Sequence, residues 1–392
     1  IMNCIYDLIM EYLNLNIPNM FKPTFEDDMI NDTIFLLDDI FGNLKKDDSP
    51  LKENYIINKY IHSTLKLIYI KYTPVRSFKK TFIRKNPNID CMESKINKIK
   101  NKIQPEQRTT EWYAFRSTLI TASSAWKIFD SECCRNNLIY EKCKPFVDPT
   151  TQSYTVNTDS PLHWGQKYEP LSIMIYEDKY NTKVEDFGCI KHDNYLCLGA
   201  SPDGINVDKT SLLYGRMLEI KNIVNREITK IPKKEYWIQM QLQMEVCNLN
   251  ECDFLETRFI EYESKEDYEK DDNEDTIKGA ILYFYENNRP IYEYYIRKTD
   301  NCYDTWEENM FNKHKDKLFI RTIYWKLDEF SCILVLRNKK WFTSIIEDIE
   351  NFWKIIEYEK INGYEHRAPK RKIKQNIEEN KITEIIDMRH KI

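Results

Sequence analysis

Apolar residues recur with helical spacing through the N-terminal quarter of the chain. The segments "NDTIFLLDDIFGNL" and "NYIINKYIHSTLKLIYIKY" place them three and four positions apart, and the polar "KKDDSP" separates the two segments. A charged connector that contains one short helical segment follows. The pattern predicts a helical N-terminal extension over residues 1–105.

From residue 106 onwards, helical segments alternate with short apolar runs that are typical of strands. "TEWYAFR", "HWGQKYEPLSIMIYEDKY" and "KKEYWIQMQLQMEVCNL" have helical spacing, whereas "VEDFGCIKH", "YLCLGAS", "RMLEIKN" and "CDFLETRFIEY" predict strands. A hairpin around Asn-Asn ("AILYFYENNRPIYEYYIRK"), a strand ("SCILVLRNKKWF") and an amphipathic helix ("SIIEDIENFWKIIEYEK") complete the order. This order predicts an α/β fold over residues 106–360, with a central mixed sheet flanked by helices.

Two charged segments are expected to lie outside that core. The acidic run near 262–276 predicts a solvated insertion, and the tail at 361–392, which contains "HRAPKRKIK", predicts a basic, flexible segment. The net charge of the chain is −5, so its overall charge gives no argument for nucleic-acid binding. Any DNA-binding surface has to be a local basic track.

The composition excludes several classes of protein. The chain has 392 residues, 42% of them hydrophobic and 31% charged, which is enough apolar material for a large core. It has no run of about 18 apolar residues, and its first residues lack the basic start of a secretory signal. The 11 cysteines are odd in number and scattered. We therefore expect an intracellular protein from a reducing compartment, not secreted and not bound to membranes.

The segment "LGASPDGINVDKTSLLYGRMLEIKN" holds the main candidate chemistry. Residues two apart on a strand share a face, so Glu219 and Lys221 project together. Asp203 lies where the preceding strand turns, and it converges with Glu219 if the two strands pair. Two such carboxylates repel each other unless a cation neutralises them, and oxygen ligands suit Mg²⁺ or Mn²⁺. With Lys221 to hold the attacking water, the set suits metal-assisted phosphodiester hydrolysis. A surface hairpin with a Glu–Lys ion pair would give the same short pattern.

Two further segments add polar residues that suit such a site. In "WGQKYEP", Glu169 offers a third carboxylate on a predicted helix, and Pro170 predicts a kink or a helix start. In "EYWIQMQLQM", Tyr236, Gln239 and Gln243 fall on one stripe of a helix. Each of these residues is also compatible with an ordinary exposed or core position.

A third segment, "TEWYAFRSTLITASSA", predicts a phosphate-binding pair. Arg116 and Ser123 are seven positions apart, so they share a face if one helix runs through the segment. A guanidinium group and a hydroxyl group on one face are suited to gripping a phosphate.

Together and in this order, these motifs resemble the lambda-type exonuclease family, also called the YqaJ-like viral recombinases. The resemblance runs from about 106 to 360, through "EWYAFRSTLITAS", "HWGQKYEP", "GASPDG" with "LEIKN", "YWIQMQLQM" and "YWKL…LVLRNKKWF…FW". The family is a branch of the PD-(D/E)xK nucleases. The resemblance therefore implies a restriction-endonuclease-like core.

The resemblance also implies an activity and its partners. It implies a Mg²⁺-dependent exonuclease (Mn²⁺ in place of Mg²⁺ is an alternative) with two ions, acting on double-stranded DNA ends. The direction would be 5′→3′, in recombination, repair or viral DNA processing. Relatives leave a single-stranded tail for an annealing protein, and some form trimers. The expected location is the host cytoplasm or, for a viral protein, the replication site.

The resemblance assigns roles to two sets of residues. The implied metal ligands are three carboxylates and one carbonyl: Asp203, Glu219, Glu169 and the backbone carbonyl of Ile220. Lys221 and Gln239 would position the nucleophilic water. The implied phosphate-binding residues carry one guanidinium and two hydroxyls: Arg116, Ser123 and Ser201.

Some PD-(D/E)xK relatives hold an iron–sulfur cluster with clustered cysteines. This chain has no C-x-x-C, and only Cys302 and Cys332 follow residue 252, so we predict no such cluster. Two alternative functions stay open. One is a structure-specific or site-specific endonuclease of the same fold, and the other is a catalytically silent DNA-binding or scaffold protein.

Overall fold

The structure is a computed structural model, and it describes residues 2–40, 50–107, 109–147, 157–297 and 302–369. Its helices are α1 Met2–Asn16, α2 Phe25–Ile40, α3 Pro50–Lys71, α4 Ile89–Lys100, α5 Thr110–Ser117, α6 Glu132–Cys143, α7 Pro161–Tyr180, α8 Lys234–Cys247, α9 Lys265–Lys270, α10 Tyr303–Lys313 and α11 Lys339–Asn362. Its strands are β1 Ile120–Thr121, β2 Val184–Glu185, β3 Ile190–Lys191, β4 Leu198–Ala200, β5 Gly204–Asn206, β6 Met217–Asn222, β7 Glu251–Glu261, β8 Lys278–Glu286, β9 Arg289–Ile296 and β10 Leu318–Leu336.

Seven strands form the central sheet in the order β2-β5-β6-β7-β10-β8-β9. The pair β6–β7 is parallel and α8 is its crossover helix, while the other neighbours are antiparallel. A second sheet, β1-β4-β3, lies beside it. The predicted α/β class, with a mixed sheet and flanking helices, is confirmed.

Local chemistry explains two features of the sheet. The predicted Asn-Asn hairpin joins β8 to β9, and Asn287 and Asn288 have φ values of 50° and 61°. Asparagine tolerates this left-handed backbone, which matches the twist of a tight hairpin. Strand β10 starts at Leu318, well before the predicted "SCILVL". The sequence pattern predicts a later start because the first residues of the strand are exposed and the first half lacks a continuous apolar run.

The sheet is covered by α7 on one side and α8 on the other. Ile220 of β6 packs in an apolar cluster with Tyr176 of α7, whereas Phe254 of β7 contacts Tyr236 of α8. Ten of the 14 residues of α8 are buried. The helix is buried nearly all round because other elements cover its outer side as well, and its buried residues include Gln241, Gln243 and Glu245. Trp237 of α8, for example, packs edge-on against Trp341 of α11.

The N-terminal helices contribute to that outer layer. Apolar residues of α1 to α4 belong to the same buried cluster as those of α8 and α11. Trp341 donates to the carbonyl of Pro18, and Arg76 donates to the carbonyls of Phe21 and Pro232. These bonds join the N-terminal region to the loop before α8. A helical N-terminal region is therefore confirmed for the described residues.

The predicted acidic insertion is described in full, and the predicted basic tail only as far as residue 369. In the insertion the acidic side chains are mostly exposed, while Tyr268 of α9 stacks on Tyr324 of β10 at 4.9 Å. The tail from residue 370 lies outside the described residues. None of the described helices has both the length and the apolarity needed to cross a bilayer.

Candidate active site

The turn between β4 and β5 brings Asp203 to the edge of β6. Strand β5 pairs with β6 through Gly204 and Leu218, and the Oδ2 atom of Asp203 accepts a hydrogen bond from the Ile220 backbone N–H at 2.7 Å. The Asp203 carboxylate thus adds one hydrogen bond to β6 beyond the backbone pairing of β5 with β6, which begins at Gly204. Only glycine fits next to it, since a Cβ on Gly204 would lie 2.2 Å from Cγ1 of Val184.

Glu219 and Lys221 project from the same face of β6. Glu219 is fully buried, and its Oε1 accepts a hydrogen bond from the ammonium group of Lys221. The ammonium also lies 5.1 Å from the ring centroid of Tyr236, so α8 covers it from one side. The structure therefore brings both the acid and the lysine of "LEIKN" to the strand edge where Asp203 lies.

The three carboxylates carry more negative charge than the site neutralises. Burial and the negative charges of Glu219 and Glu169 raise the pKa of Asp203 well above its usual range, although Lys221 opposes the shift. Burial alone would lower the pKa of Lys221, but Glu219 and Asp203 together outweigh burial and raise it. Lys221 is thus a cation at neutral pH. Around Asp203, burial and the charges of Glu219 and Glu169 outweigh the ammonium of Lys221, and hard divalent cations prefer such oxygen-rich, anionic sites.

The acids do not form a preassembled ligand shell. Among the described residues, no three His, Cys, Asp or Glu side chains are grouped so as to hold a metal ion. Lys221 occupies Oε1 of Glu219, and the Oδ2 atom of Asp203 is bonded to the Ile220 N–H. The donor chemistry fits Mg²⁺ or Mn²⁺, with Asp203, Glu219 and Glu169 as the residues that would hold it. The Ile220 carbonyl faces the same edge as its N–H, as strand geometry requires.

Glu169 lies on α7 directly before Pro170. The helix begins at Pro161, so Pro170 lies inside it and does not start it. Proline cannot donate to the preceding turn, and carbonyls of that turn then need other donors. The carbonyl that lacks its helical donor is that of Gln166, four residues before Pro170. Next to it, the Gly165 carbonyl accepts a hydrogen bond from Nδ2 of Asn222 at 3.0 Å. The turn of α7 that precedes Glu169 is thereby bonded to the end of β6.

Three polar side chains, those of Asn222, Ser172 and Thr257, form a hydrogen-bonded group that strengthens this connection. The Oδ1 atom of Asn222 accepts hydrogen bonds from the Ser172 hydroxyl at 2.6 Å and from the Thr257 hydroxyl at 2.7 Å. Ser172 lies one helical turn after Glu169, and Thr257 is the β7 partner of Asn222. The group ties α7, β6 and β7 together next to Lys221. It limits how far Glu169 can shift relative to Glu219.

The prediction that Arg116 and Ser123 share a helical face is wrong. Helix α5 ends at Ser117, and the segment then turns into β1, because β1 pairs in parallel with β4. The pairing places Arg116 beside Ser201, with 3.4 Å between Nη1 and the hydroxyl oxygen. Ser123 is exposed, and its hydroxyl lies 3.3 Å from that of Thr121. No hydrogen bond joins Ser123 to Arg116 within the described residues.

A second buried cation accompanies Arg116. The ammonium group of Lys142 donates to the Arg116 carbonyl at 2.9 Å, and burial together with the charge of Arg116 lowers the pKa of Lys142 to about 8. The Arg116 guanidinium lies 4.2 Å from the Trp112 ring centroid. Glu141 is the acid that partly offsets these charges, and it is exposed. The arrangement suits an anion such as phosphate.

The comparison with protein families covers this whole site. Residues 111–250 match the model of the YqaJ-like viral recombinase domain. Residues 111–250 are therefore similar to YqaJ-like viral recombinase domains, and this segment is here called the YqaJ-like domain. All of the predicted site residues, from Arg116 to Gln239, lie inside the YqaJ-like domain.

Similar proteins are found in a virus and in a bacterium. The chain is 29% identical over 318 residues to an uncharacterized protein of Acanthamoeba polyphaga mimivirus. The match covers 69% of this chain, and the chain spans about half of that protein's length, 55%. A crystal structure of the alkaline exonuclease LHK-Exo from Laribacter hongkongensis is 20% identical, with a TM-score of 0.39. Its complex with dAMP is 19% identical, with a TM-score of 0.38. Each covers 65% of this chain and 95% of the LHK-Exo chain.

The structure adds two residues to those predicted for the YqaJ-like domain. Gln243, one turn after the predicted Gln239, donates to Oε2 of Glu219 at 2.7 Å. The sequence placed Gln243 on the right helical stripe, but nothing in that stripe distinguishes which glutamine reaches the acid. Lys142 lies in a segment with no motif, so only the packing of α6 against α5 shows it.

Proposed function

We propose that the YqaJ-like domain is a Mg²⁺-dependent DNA exonuclease that hydrolyses phosphodiester bonds from double-stranded ends in the 5′→3′ direction. The observation that carries the proposal is the set formed by the fully buried Glu219 and the half-buried Asp203 and Lys221, with Glu169 close enough to raise the pKa of Asp203. A family described as viral recombinases is consistent with a DNA substrate. Mn²⁺ is a chemically equivalent cation for the same oxygen donors.

The residues divide the chemical work in this proposal. When bound, two divalent ions supply charge stabilisation at the scissile phosphate and a water molecule of lowered pKa. Asp203, Glu219, Glu169 and the Ile220 carbonyl hold them. Lys221 donates hydrogen bonds to the attacking water and keeps its positive charge, because the neighbouring acids raise its pKa. Gln239 orients the same water.

The cationic side of the site would hold the DNA backbone. Arg116 and Ser201 grip a phosphate, and Lys142 adds a second positive charge behind Arg116. Ser123 contributes its exposed hydroxyl to the same phosphate. A terminal 5′-phosphate carries more negative charge than an internal one, so this pocket favours a phosphorylated 5′ end.

The proposal includes a biological setting. The single-stranded product would pass to an annealing protein in recombination, repair or viral DNA processing, inside a reducing compartment. A homo-oligomer, such as the trimer of some relatives, remains a prediction.

A digestion assay with end-labelled DNA tests the proposal. The purified chain with Mg²⁺ should degrade linear duplex DNA, release the 5′ label first, and leave covalently closed circular DNA intact. The same mixture with excess chelator is the control. Equal cleavage of circular and linear DNA would instead identify an endonuclease, and no cleavage of either would favour a silent binding protein.

A further inference from the structure

Three glutamines of α8 alternate along the helix but have different surroundings. Gln239 is half-buried, and it is the residue that the family resemblance selects. Gln241 is buried, donates to the Leu336 carbonyl at 2.9 Å and accepts from the Asn338 N–H at 2.7 Å. Gln241 therefore joins α8 to the junction of β10 and α11. Only Gln243 contacts an acid of the site among these three.

Gln243 joins the two segments that carry Asp203 and Glu219. Its Nε2 donates one hydrogen bond to Oε2 of Glu219 at 2.7 Å and the other to the Ser201 carbonyl at 3.1 Å. Ser201 precedes Asp203 by two residues in the turn after β4. Both N–H groups of one fully buried amide are thus used on the acid-bearing segments.

The oxygen of the same amide has no donor. No described residue gives a hydrogen bond to Oε1 of Gln243. A buried acceptor without a partner opposes folding, whereas a methionine of similar length would bury no polar atom. Methionine is also found at the neighbouring buried positions Met240 and Met244. Glutamine at this position therefore has to be explained by what its nitrogen does.

The nitrogen fixes the orientation of a carboxylate. Lys221 binds Oε1 of Glu219 and Gln243 binds Oε2, so rotation of the carboxylate breaks at least one charge-assisted hydrogen bond. Groups that hold a ligating carboxylate in place strongly affect the affinity of a metal site. The hydrogen bond from Gln243 uses a different oxygen of Glu219 from the one that Lys221 uses.

We propose that Gln243 is a positioning residue that holds the Glu219 carboxylate at a fixed separation from the Asp203 turn and thereby sets the affinity of the site for divalent cations. This inference rests on the proposed function, since it presupposes that the acids bind a metal ion. It assigns Gln243 no contact with the DNA or with the attacking water.

Two matched substitutions in the full chain test it, namely Gln243→Met and Gln241→Met. Mn²⁺ binding is measured by electron paramagnetic resonance without DNA, and stability by urea unfolding without metal. We expect Gln243→Met to raise the Kd for Mn²⁺ about tenfold. It should raise the half-saturating Mg²⁺ concentration for cleavage similarly and lower the rate at saturating Mg²⁺ less. Gln241→Met should lower the urea midpoint and leave the Mn²⁺ affinity unchanged.

Wild-type Mn²⁺ affinity in Gln243→Met would overturn the inference, as would equal weakening in Gln241→Met. The failure of the proposed function has a different signature. A wild-type chain that binds Mn²⁺ but cuts no DNA would overturn the function and leave the comparison of the two variants valid. A wild-type chain that binds no Mn²⁺ would overturn both.

Discussion

Two clusters of acids, each with one fully buried member, lie around β6 and β7, and they are built in different ways. One, here the Asp203 cluster, comprises Glu219 and Lys221 on the α8 side of β6, together with Asp203 and, from α7, Glu169. The cluster on the α7 side, here the Asp253 cluster, comprises Asp253, Glu251, Arg216, Thr81 and Tyr176. Glu219 and Asp253 are both fully buried, on adjacent strands one register step apart.

Each acid of the Asp253 cluster has donors from the folded chain. Asp253 accepts from Thr81 at 2.5 Å, Tyr176 at 2.7 Å and Arg216 at 3.3 Å. Arg216 also donates to Glu251 at 2.6 Å. Burial still raises the pKa of Asp253, but these donors oppose the shift. A buried carboxylate is tolerated in a fold when its lone pairs are used in this way.

The Asp203 cluster differs in this respect. Burial and the negative charges of Glu219 and Glu169 raise the pKa of Asp203, and Lys221 only partly opposes that rise. Repulsion of this kind opposes folding, so a fold has no structural reason to build it. The difference between the two clusters shows how to distinguish them. We expect a balanced acid cluster to be tolerated by the fold, and we interpret an unbalanced one as a candidate cation site.

The substitution Asp203→Asn tests the unbalanced cluster and should have the largest effect. Asparagine keeps an oxygen that can accept from the Ile220 N–H but removes one negative charge. We expect Mg²⁺-dependent cleavage of linear DNA to fall by about 10³-fold or more, because a metal ligand is lost. The free energy of unfolding without metal should stay the same or rise, since repulsion with Glu219 is relieved. End-label release and urea unfolding measure the two effects.

A marked loss of stability in Asp203→Asn, without metal, would contradict the comparison. It would mean that the Asp203 cluster stabilises the fold as the Asp253 cluster does. Retained cleavage would contradict the proposed function itself.

The substitution Arg216→Met tests the balanced cluster and should have the opposite effect. It leaves Asp253 and Glu251 without their cation, and loss of one partner of a buried ion pair costs about 3–5 kcal/mol. We expect a corresponding fall in the free energy of unfolding, measured by urea at neutral pH. At a low temperature where the variant is folded, cleavage per folded molecule should stay near that of the wild type.

The double variant that combines Arg216→Met with Asp253→Leu is the control. Removing both charges should restore much of the stability lost in Arg216→Met. If the single variant instead lost activity while remaining as stable as the wild type, the Asp253 cluster would belong to the active site.

Much of the site could be predicted from the sequence because its spacing is local. Glu219 and Lys221 are two apart on a strand, and the turn at Asp203 is signalled by its proline and glycine. The partner of Asp203, by contrast, depends on which strands pair, and local spacing does not decide that pairing. The acids of "ECDF", Glu251 and Asp253, carry no sequence signal of the Asp253 cluster. Its balance comes from Arg216 and Thr81, which lie far away in the sequence.

The wrong prediction and the missed residues have the same cause. Arg116 and Ser123 have helical spacing, but the pairing of β1 with β4 overrides local propensity and ends α5 at Ser117. Gln239 and Gln243 lie on one helical stripe, and only the packing of α8 on β6 decides which one reaches Glu219. Lys142 approaches Arg116 through tertiary contact alone. Long-range packing thus decides what periodicity leaves open.

Arg116 and Lys142 form a third set of charges that sharpens the comparison. This set has an excess of positive charge, whereas the Asp203 cluster has an excess of negative charge. The pKa of Lys142 is about 8 in the folded chain, against 10.5 for an ordinary lysine. Between these two values the unfolded chain holds the proton and the folded chain does not, so stability rises with pH. We expect a rise of about 1–2 kcal/mol between roughly pH 7.5 and 9.5 from this group, and none in Lys142→Met.

Urea unfolding across that pH range measures the free energy of unfolding of the wild type and of Lys142→Met. The contributions of the other titrating groups cancel in the difference between the two. Parallel curves would show that Lys142 is not desolvated as the structure indicates. Inorganic phosphate supplies the decisive comparison. If Arg116 and Lys142 form an anion site, bound phosphate keeps Lys142 charged and reduces the rise in wild type. An unchanged rise would mean that this excess of positive charge, unlike the excess of negative charge around Asp203, has no ligand to balance it.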